Sequence, residues 1–142
     1  MDKYYYGTGK RKCCCARVFL QYTPGTGCIV INNGGIENLG RLDREFILQP
    51  IKLVSVISDF SIKITVKGGG HFGQLDSIRY GIAKALVKFD SDTTLDKINT
   101  SDKGSFRTIL KKNGFMTRDS RIVERKKFGY KKARKKEQYS KR

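Results

Sequence analysis

Residues 60–86 read FSIKITVKGGGHFGQLDSIRYGIAKAL. Two periodicities meet inside this stretch. Phe60, Ile62, Ile64 and Val66 alternate with Ser61, Lys63, Thr65 and Lys67, the two-residue repeat of a strand with one buried face. After three glycines, Leu75, Ile78, Ile82, Leu86 and then Phe89 recur at helical spacing, while Asp76, Arg79, Lys84 and Lys88 stand off that stripe. A strand therefore turns directly into an amphipathic helix, and the glycines between them need an explanation.

Gly68-Gly69-Gly70-His71-Phe72-Gly73 formally satisfies G-x-G-x-x-G, with Asp90 or Asp92 about twenty residues further on. A nucleotide-binding enzyme using the Gly68–Gly73 loop is thus one alternative, but not the expected one. The strand reads as third in a mostly hairpin-built sheet. The chain beyond it is too short for a second nucleotide half, and Asp90 opens a loop instead of ending a strand. The physics of the motif survives: glycines admit a close backbone, and the amides of a helix's first turn attract phosphate, which an RNA backbone supplies.

Outward from this stretch the pattern weakens. Lys10 to Gln21 reads as a strand with Cys14, Ala16, Val18 and Leu20 on one face and Arg11, Cys13, Cys15, Arg17 and Phe19 on the other. TPGTG at 23–27 predicts a turn and CIVIN at 28–32 a second strand, so the two form a hairpin. NGG at 33–35 turns again. Residues 36–57 hold two short helical pieces, about Leu42 to Leu48 and a second with Pro50 in its first turn running to about Ile57. Residues 90–104 are polar and read as a surface loop. SFRTILKK at 105–112 predicts a short helix closed by Asn113-Gly114.

Charge is the compositional outlier. The chain of 142 residues carries a formal +17, and residues 105–142 alone hold 15 basic and 3 acidic side chains. Repulsion on that scale opposes compaction unless a polyanion neutralises it, and nucleic acid is the commonest such partner. A membrane is not expected: no stretch approaches the ~20 apolar residues of a span, and the basic end lacks an apolar face. MDKYYYGTGKRK reads as neither a signal nor a transit peptide, so the chain is expected to stay where it is made. From Arg125 to Arg142 periodicity is lost, and 18 extended residues would reach ~60 Å at about 3.3 Å each. Phe128, Tyr130 and Tyr139, interleaved with the cations, are suited to stacking on bases. No duplex-DNA motif is legible, which favours RNA.

Chemistry has little to work with. Cys13, Cys14 and Cys15 alternate faces along a strand and Cys28 adds no C-x-x-C spacing, so no metal site is expected. Asp90, Asp92 and Asp96 lack the glycine and terminal glutamate of a calcium loop. His71 is the sole histidine, and the acids form no evident pair. No enzyme and no cofactor are expected.

YYGTGKRK, ARVF, ITVKGGGHFGQLDSIRYGIAKAL, GFMTRDSRIVERKKFGYKKARKK and the final SKR, in this order, resemble small-subunit ribosomal protein nine of the bacterial and plastid type. The central signature is carried by Gly68, Gly69, Gly70, Gly73, Gln74, Ser77, Gly81, Ala83, Lys84, Ala85 and Leu86. The resemblance implies an α+β fold of the ribosomal-protein-S-five-domain-two type, a sandwich of a small sheet and helices, with a long extended basic tail. The globular domain is expected over 1–124 and the tail over 125–142. It further implies a place in the head of the small subunit, with small-subunit ribosomal RNA and neighbouring head proteins as partners. The tail is expected to reach the P-site transfer RNA through Lys141 and Arg142.

Expected ribosomal-RNA contacts are Lys10, Arg11 and Lys12; Gly68, Gly69, Gly70 and Gln74; Arg79, Arg118 and Arg121; and, in the tail, Arg125, Lys126, Lys127, Lys131, Lys132, Arg134, Lys135 and Lys136. Three features depart from the family pattern: a long 90–104 connection, Cys13-Cys14 in place of small polar residues, and Tyr139 in place of Phe. Lys outnumbers Arg 19 to 11, and with Ile, Asn and Tyr this points to an AT-rich genome. A chloroplast is the expected location, with a bacterial cytoplasm as the alternative. A ribosome-free RNA- or nucleoid-binding module is the remaining functional alternative.

Overall fold

The computed structural model describes residues 3–25, 27–55, 60–95 and 105–141. Its strands are β1 (Tyr4–Arg11), β2 (Cys14–Tyr22), β3 (Cys28–Ile31), β4 (Gly34–Gly35) and β5 (Phe60–Lys67). Its helices are α1 (Arg41–Val54), α2 (His71–Leu95) and α3 (Phe106–Lys112), with one 3₁₀ turn at Ile36–Asn38. The strands form one sheet in the order β1-β2-β5-β3-β4. Phe60, Ile62, Ile64 and Val66 are buried, as the alternation predicts, and β5 lies at the centre of the sheet. The fold is α+β.

Neighbours in the sheet differ from those expected. β2 does not pair with β3; β5 inserts between them, antiparallel to β2 over eight residue pairs and parallel to β3 over four. β5 is buried on one face and long enough to serve both. The hairpin partner of β2 is instead β1, and the stretch from Lys10 to Gln21 is not one strand but turns at Lys12-Cys13, with Arg11 opposite Cys14. Lys12 takes a left-handed φ of 50° there, a conformation that its side chain does not announce.

The two helical pieces expected around 42–57 are one helix, α1, with Pro50 inside it. Pro50 removes one backbone donor, but Ile47, Pro50 and Ile51 are all buried, and that packing carries the helix through. It stops at Ser55, whose φ of 59° is left-handed; residues 56–59, including the expected end at Ile57, lie outside the described residues. α2 likewise overruns the expected loop: residues 90–95 are its last turns, since DSDTTL is polar but contains no glycine or proline to break a helix. The rest of that loop, 96–104, lies outside the described residues. α3 starts where Asp90 of α2 accepts the Phe106 N–H at 3.0 Å, and it ends at Asn113-Gly114 as expected.

The core lies between the sheet and α2. Ala16, Val18, Leu20, Ile62 and Ile64 from the strands meet Leu75, Ile78, Ile82 and Leu86, with Ile47, Ile51 and Leu110 closing the far side. Helix and edge strand touch backbone to backbone: a Cβ on Gly9 would collide with the carbonyl oxygen of Ser77, and one on Gly7 with that of Gly81. Among the described residues no helix is long and apolar enough to cross a membrane.

Candidate nucleic-acid interface

The glycine loop joins β5 to α2. Gly68 and Gly69 have φ of 80° and 64°. Both face the β1–β2 turn: a Cβ on Gly68 would sit 2.6 Å from the Cys13 carbonyl oxygen, and one on Gly69 would overlap Cys14 Sγ. Cys14 is buried, its thiol donates to the Gly68 carbonyl oxygen at 2.9 Å, and burial pushes its pKa up. The close approach that these glycines permit is therefore made by the chain's own hairpin. Gly70 differs, with open space where its Cβ would be. The side chain of Gln74 donates to the Gly68 carbonyl oxygen, and His71 Nε2 lies 2.9 Å from Asp43 Oδ2. Among the described residues no strand follows α2.

The run Lys10-Arg11-Lys12 splits in two. Lys10 and Lys12 are exposed, whereas the Arg11 side chain is 13% exposed and engaged inside the chain. Its guanidinium lies 3.4 Å from Asp76 of α2 and 3.0 Å from Asp119, and it donates to the carbonyl oxygens of Asp119 and Arg121. Asp119 also takes a bidentate contact from Arg121, which with the Arg121 backbone N–H and Arg11 holds its carboxyl well below the usual carboxylate range. Arg79 is similarly committed. It pairs with Asp76 at 2.9 Å, donates to Gln49, and lies over the Phe46 ring 4.0 Å from its centroid. Of the expected RNA contacts, Arg11 and Arg79 are thus placed as internal fasteners.

Beyond this clamp the chain is exposed. Arg118, Arg125, Lys126, Lys127, Lys131, Lys132, Arg134, Lys135 and Lys136 all face solvent, as do Phe128 and Tyr139. The segment contains no helix, but it is not uniformly extended as expected. Gly129 takes φ 76°, and the chain folds back so that Tyr130 and Lys136 form a β-bridge, with the Lys131 N–H donating to the Lys135 carbonyl oxygen at 2.7 Å. Glycine permits that turn, and Arg134 stabilises the return by a bidentate pair with Glu124 at 2.9 and 2.6 Å. Lys141 is exposed; Arg142 lies outside the described residues.

Sequence reasoning missed the acids. Asp76 and Asp119 decide which arginines are spent, and the local hints were an aspartate three residues before Arg79 and another between Arg118 and Arg121. Among the described residues no three His, Cys, Asp or Glu side chains gather as a metal site.

A sheet backed by helices on one face, with a clamped and then exposed cationic carboxy-terminal arm, defines a small basic α+β domain. Residues 9–142 match the family model described as Ribosomal protein S9/S16, and the chain belongs to that family. It is a structural protein of the small ribosomal subunit, bound to the ribosome, in a family that is not enzymatic. Membership implies association with small-subunit ribosomal RNA and with other ribosomal proteins.

Proposed function

We propose that this protein holds ribosomal RNA in the head of the small subunit and extends its carboxy-terminal arm to the P-site transfer RNA. The observation that carries the reading is the arm itself: residues 125–142 hold ten basic side chains against one acid, with the described cations exposed. Such a segment offers little apolar area to offset the ~1–2 kcal/mol per residue of backbone entropy, and a polyanion supplies the missing stabilisation. The division is a body over 1–124 and an arm over 125–142, the arm rooted at the Arg11 clamp. Ribosomal-RNA contact is assigned to Lys10, Lys12, Arg118 and the arm's cations, with Gly70 and the first turn of α2 open to a phosphate. Arg11 and Arg79 serve instead to hold the surface that presents them. The excess of Lys over Arg supports a plastid ribosome first and a low-GC bacterial one second.

Deleting Lys141 and Arg142 tests the far end. Two charge-assisted contacts are worth roughly 1–2 kcal/mol, and too many other cations remain for assembly to fail. Transfer-RNA affinity of small subunits, measured across a salt series, is expected to fall with the deletion, and the loss to shrink as salt rises. Unchanged affinity at every salt, at equal occupancy of the protein, removes transfer RNA from the reading. Release from the small subunit at moderate salt favours the ribosome-free module instead.

A further inference from the structure

The helices cover only one face of the sheet: α2 packs on β1, β2 and β5, and α1 and α3 pack on α2. No described helix covers the other face. Strand register sets out its residues in rows. Tyr6, Phe19 and Lys63 stand side by side on β1, β2 and β5. Two residues along each strand, Arg17 lies between Thr8 and Thr65, and a further step brings Lys10 and Lys67 to either side of Cys15. The rings of Tyr6 and Phe19 are 5.1 Å apart, and Tyr6 remains 37% exposed. Lys10, Arg17, Lys63 and Lys67 are all exposed. Lys88 reaches round the edge of β1 to within 5.6 Å of the Tyr6 ring centroid. None of the five strands contains an Asp or Glu.

We propose that this open sheet face is a further RNA-binding surface, on which Tyr6 and Phe19 stack unpaired bases of small-subunit ribosomal RNA while Lys10, Arg17, Lys63 and Lys67 hold the flanking phosphates. It rests on the ribosomal-RNA reading above but moves contact onto the open face of β1, β2 and β5, which runs up to the glycine loop and is separate from the arm. Two physical points select this occupant. Cations without acids attract an anionic partner and repel a cationic one, and the strand register holds them in place, with Lys10 and Lys67 two strands apart at roughly 10 Å. Adjacent rings, Tyr6 exposed and Phe19 half-buried, gain by stacking on bases that are not already paired, a mode that duplex cannot use. An acidic ribosomal protein is the competing occupant.

Two experiments on the full-length protein decide it. In assembled small subunits, a photo-crosslinking phenylalanine analogue at position 6 or 19 is expected to crosslink to RNA. Crosslinks to protein alone, or none, overturn the proposal. In solution, the combined Arg17→Ser, Lys63→Ser, Lys67→Ser variant is compared with wild type for binding to small-subunit ribosomal RNA. The expected result is at least a tenfold loss at low salt and a salt slope shallower by about 2, at ~0.7 per phosphate contact, with an unchanged melting curve. Equal affinity and slope overturn the sheet-face site while leaving the arm intact. Failure of the wild-type protein to bind that RNA at all brings down the underlying reading instead.

Discussion

Arg11 and Arg134 each sit beside a carboxylate, and the two pairs have little else in common. The Arg11 side chain is 13% exposed and ties three segments together: the end of β1, α2 through Asp76, and the root of the arm through Asp119. The Arg134 side chain is 80% exposed and holds only Glu124, ten residues earlier and the last residue before the arm. Partial burial makes the first pair a joint, because one largely buried guanidinium holds two half-buried carboxylates from different segments, and without it those segments lose their common fastener. Exposure leaves the second pair exchangeable, so a phosphate can replace Glu124 with little loss. Counting arginines in a basic protein therefore overstates its RNA contacts; the partner and its burial decide which are available.

The strongest way to break the joint is to push apart the elements on which it is mounted. Gly9 lies two residues before Arg11, with Ser77 and Gly81 backbone against it. Gly9→Ala forces strand from helix and is expected to cost about 3 kcal/mol or more. By thermal unfolding this is a fall in Tm of roughly 10 °C; a fall of a degree or two contradicts the close packing.

Next in size is Arg11→Ala, with an expected loss of about 1–3 kcal/mol and faster proteolysis near residues 118–122. Its sequence neighbour is the control: Lys12→Ala is expected to change stability by about 0.5 kcal/mol or less. Equal effects from the two erase the distinction between fastener and free cation.

Glu124→Gln is expected to leave the melting curve unchanged, because the pair is exposed, while freeing Arg134. RNA binding then gains up to one phosphate contact, a salt slope steeper by about 0.7. Destabilisation comparable to that of Arg11→Ala shows the arm's fold-back to be a joint as well.

The smallest effect near neutral pH is that of protons. The carboxyls of Asp119 and Glu124 titrate below their ordinary ranges because arginine side chains hydrogen-bond them, so the unfolded chain takes up protons first. Their contribution is fully present above the unfolded value, 3.8 for Asp119, and fades as pH falls towards the depressed folded value. Between pH 7 and 5 neither pair changes. Carboxyl NMR titration of Asp119 checks this: a midpoint near 3.8 means that the arginine contacts are absent in solution.

What was legible in the sequence follows from what carries a side-chain signal. β5 declares itself because its inward positions are all apolar, and α2 because Leu75, Ile78, Ile82 and Leu86 outweigh the buried Ser77. β1 stayed hidden because its positions facing α2 include Gly7 and Gly9, small so that the helix backbone can approach and silent in any hydrophobic pattern. Alternation shows which face of β2 is buried but not which strand lies beside it, so β5 between β2 and β3 was out of reach. The proline in α1 suggested a break that buried neighbours override. For the candidate site, the basic segments were plain from composition. The clamp was not, since Arg11 and Asp119 stand 108 residues apart and only the fold brings them together.

The bridge between Tyr130 and Lys136 gives the arm two working lengths. While it is closed, residues 131–135 are slack, a coil of rope gathered by one strand-like contact. An exposed hydrogen bond of this kind is worth about 1 kcal/mol. Paying it out adds up to ~15–20 Å of contour, at about 3.3 Å per residue. An RNA partner that bound the cations on both sides of Ala133 would supply that energy many times over, and the span from the clamp at Asp119 to Lys141 would then be set by that partner rather than by the protein.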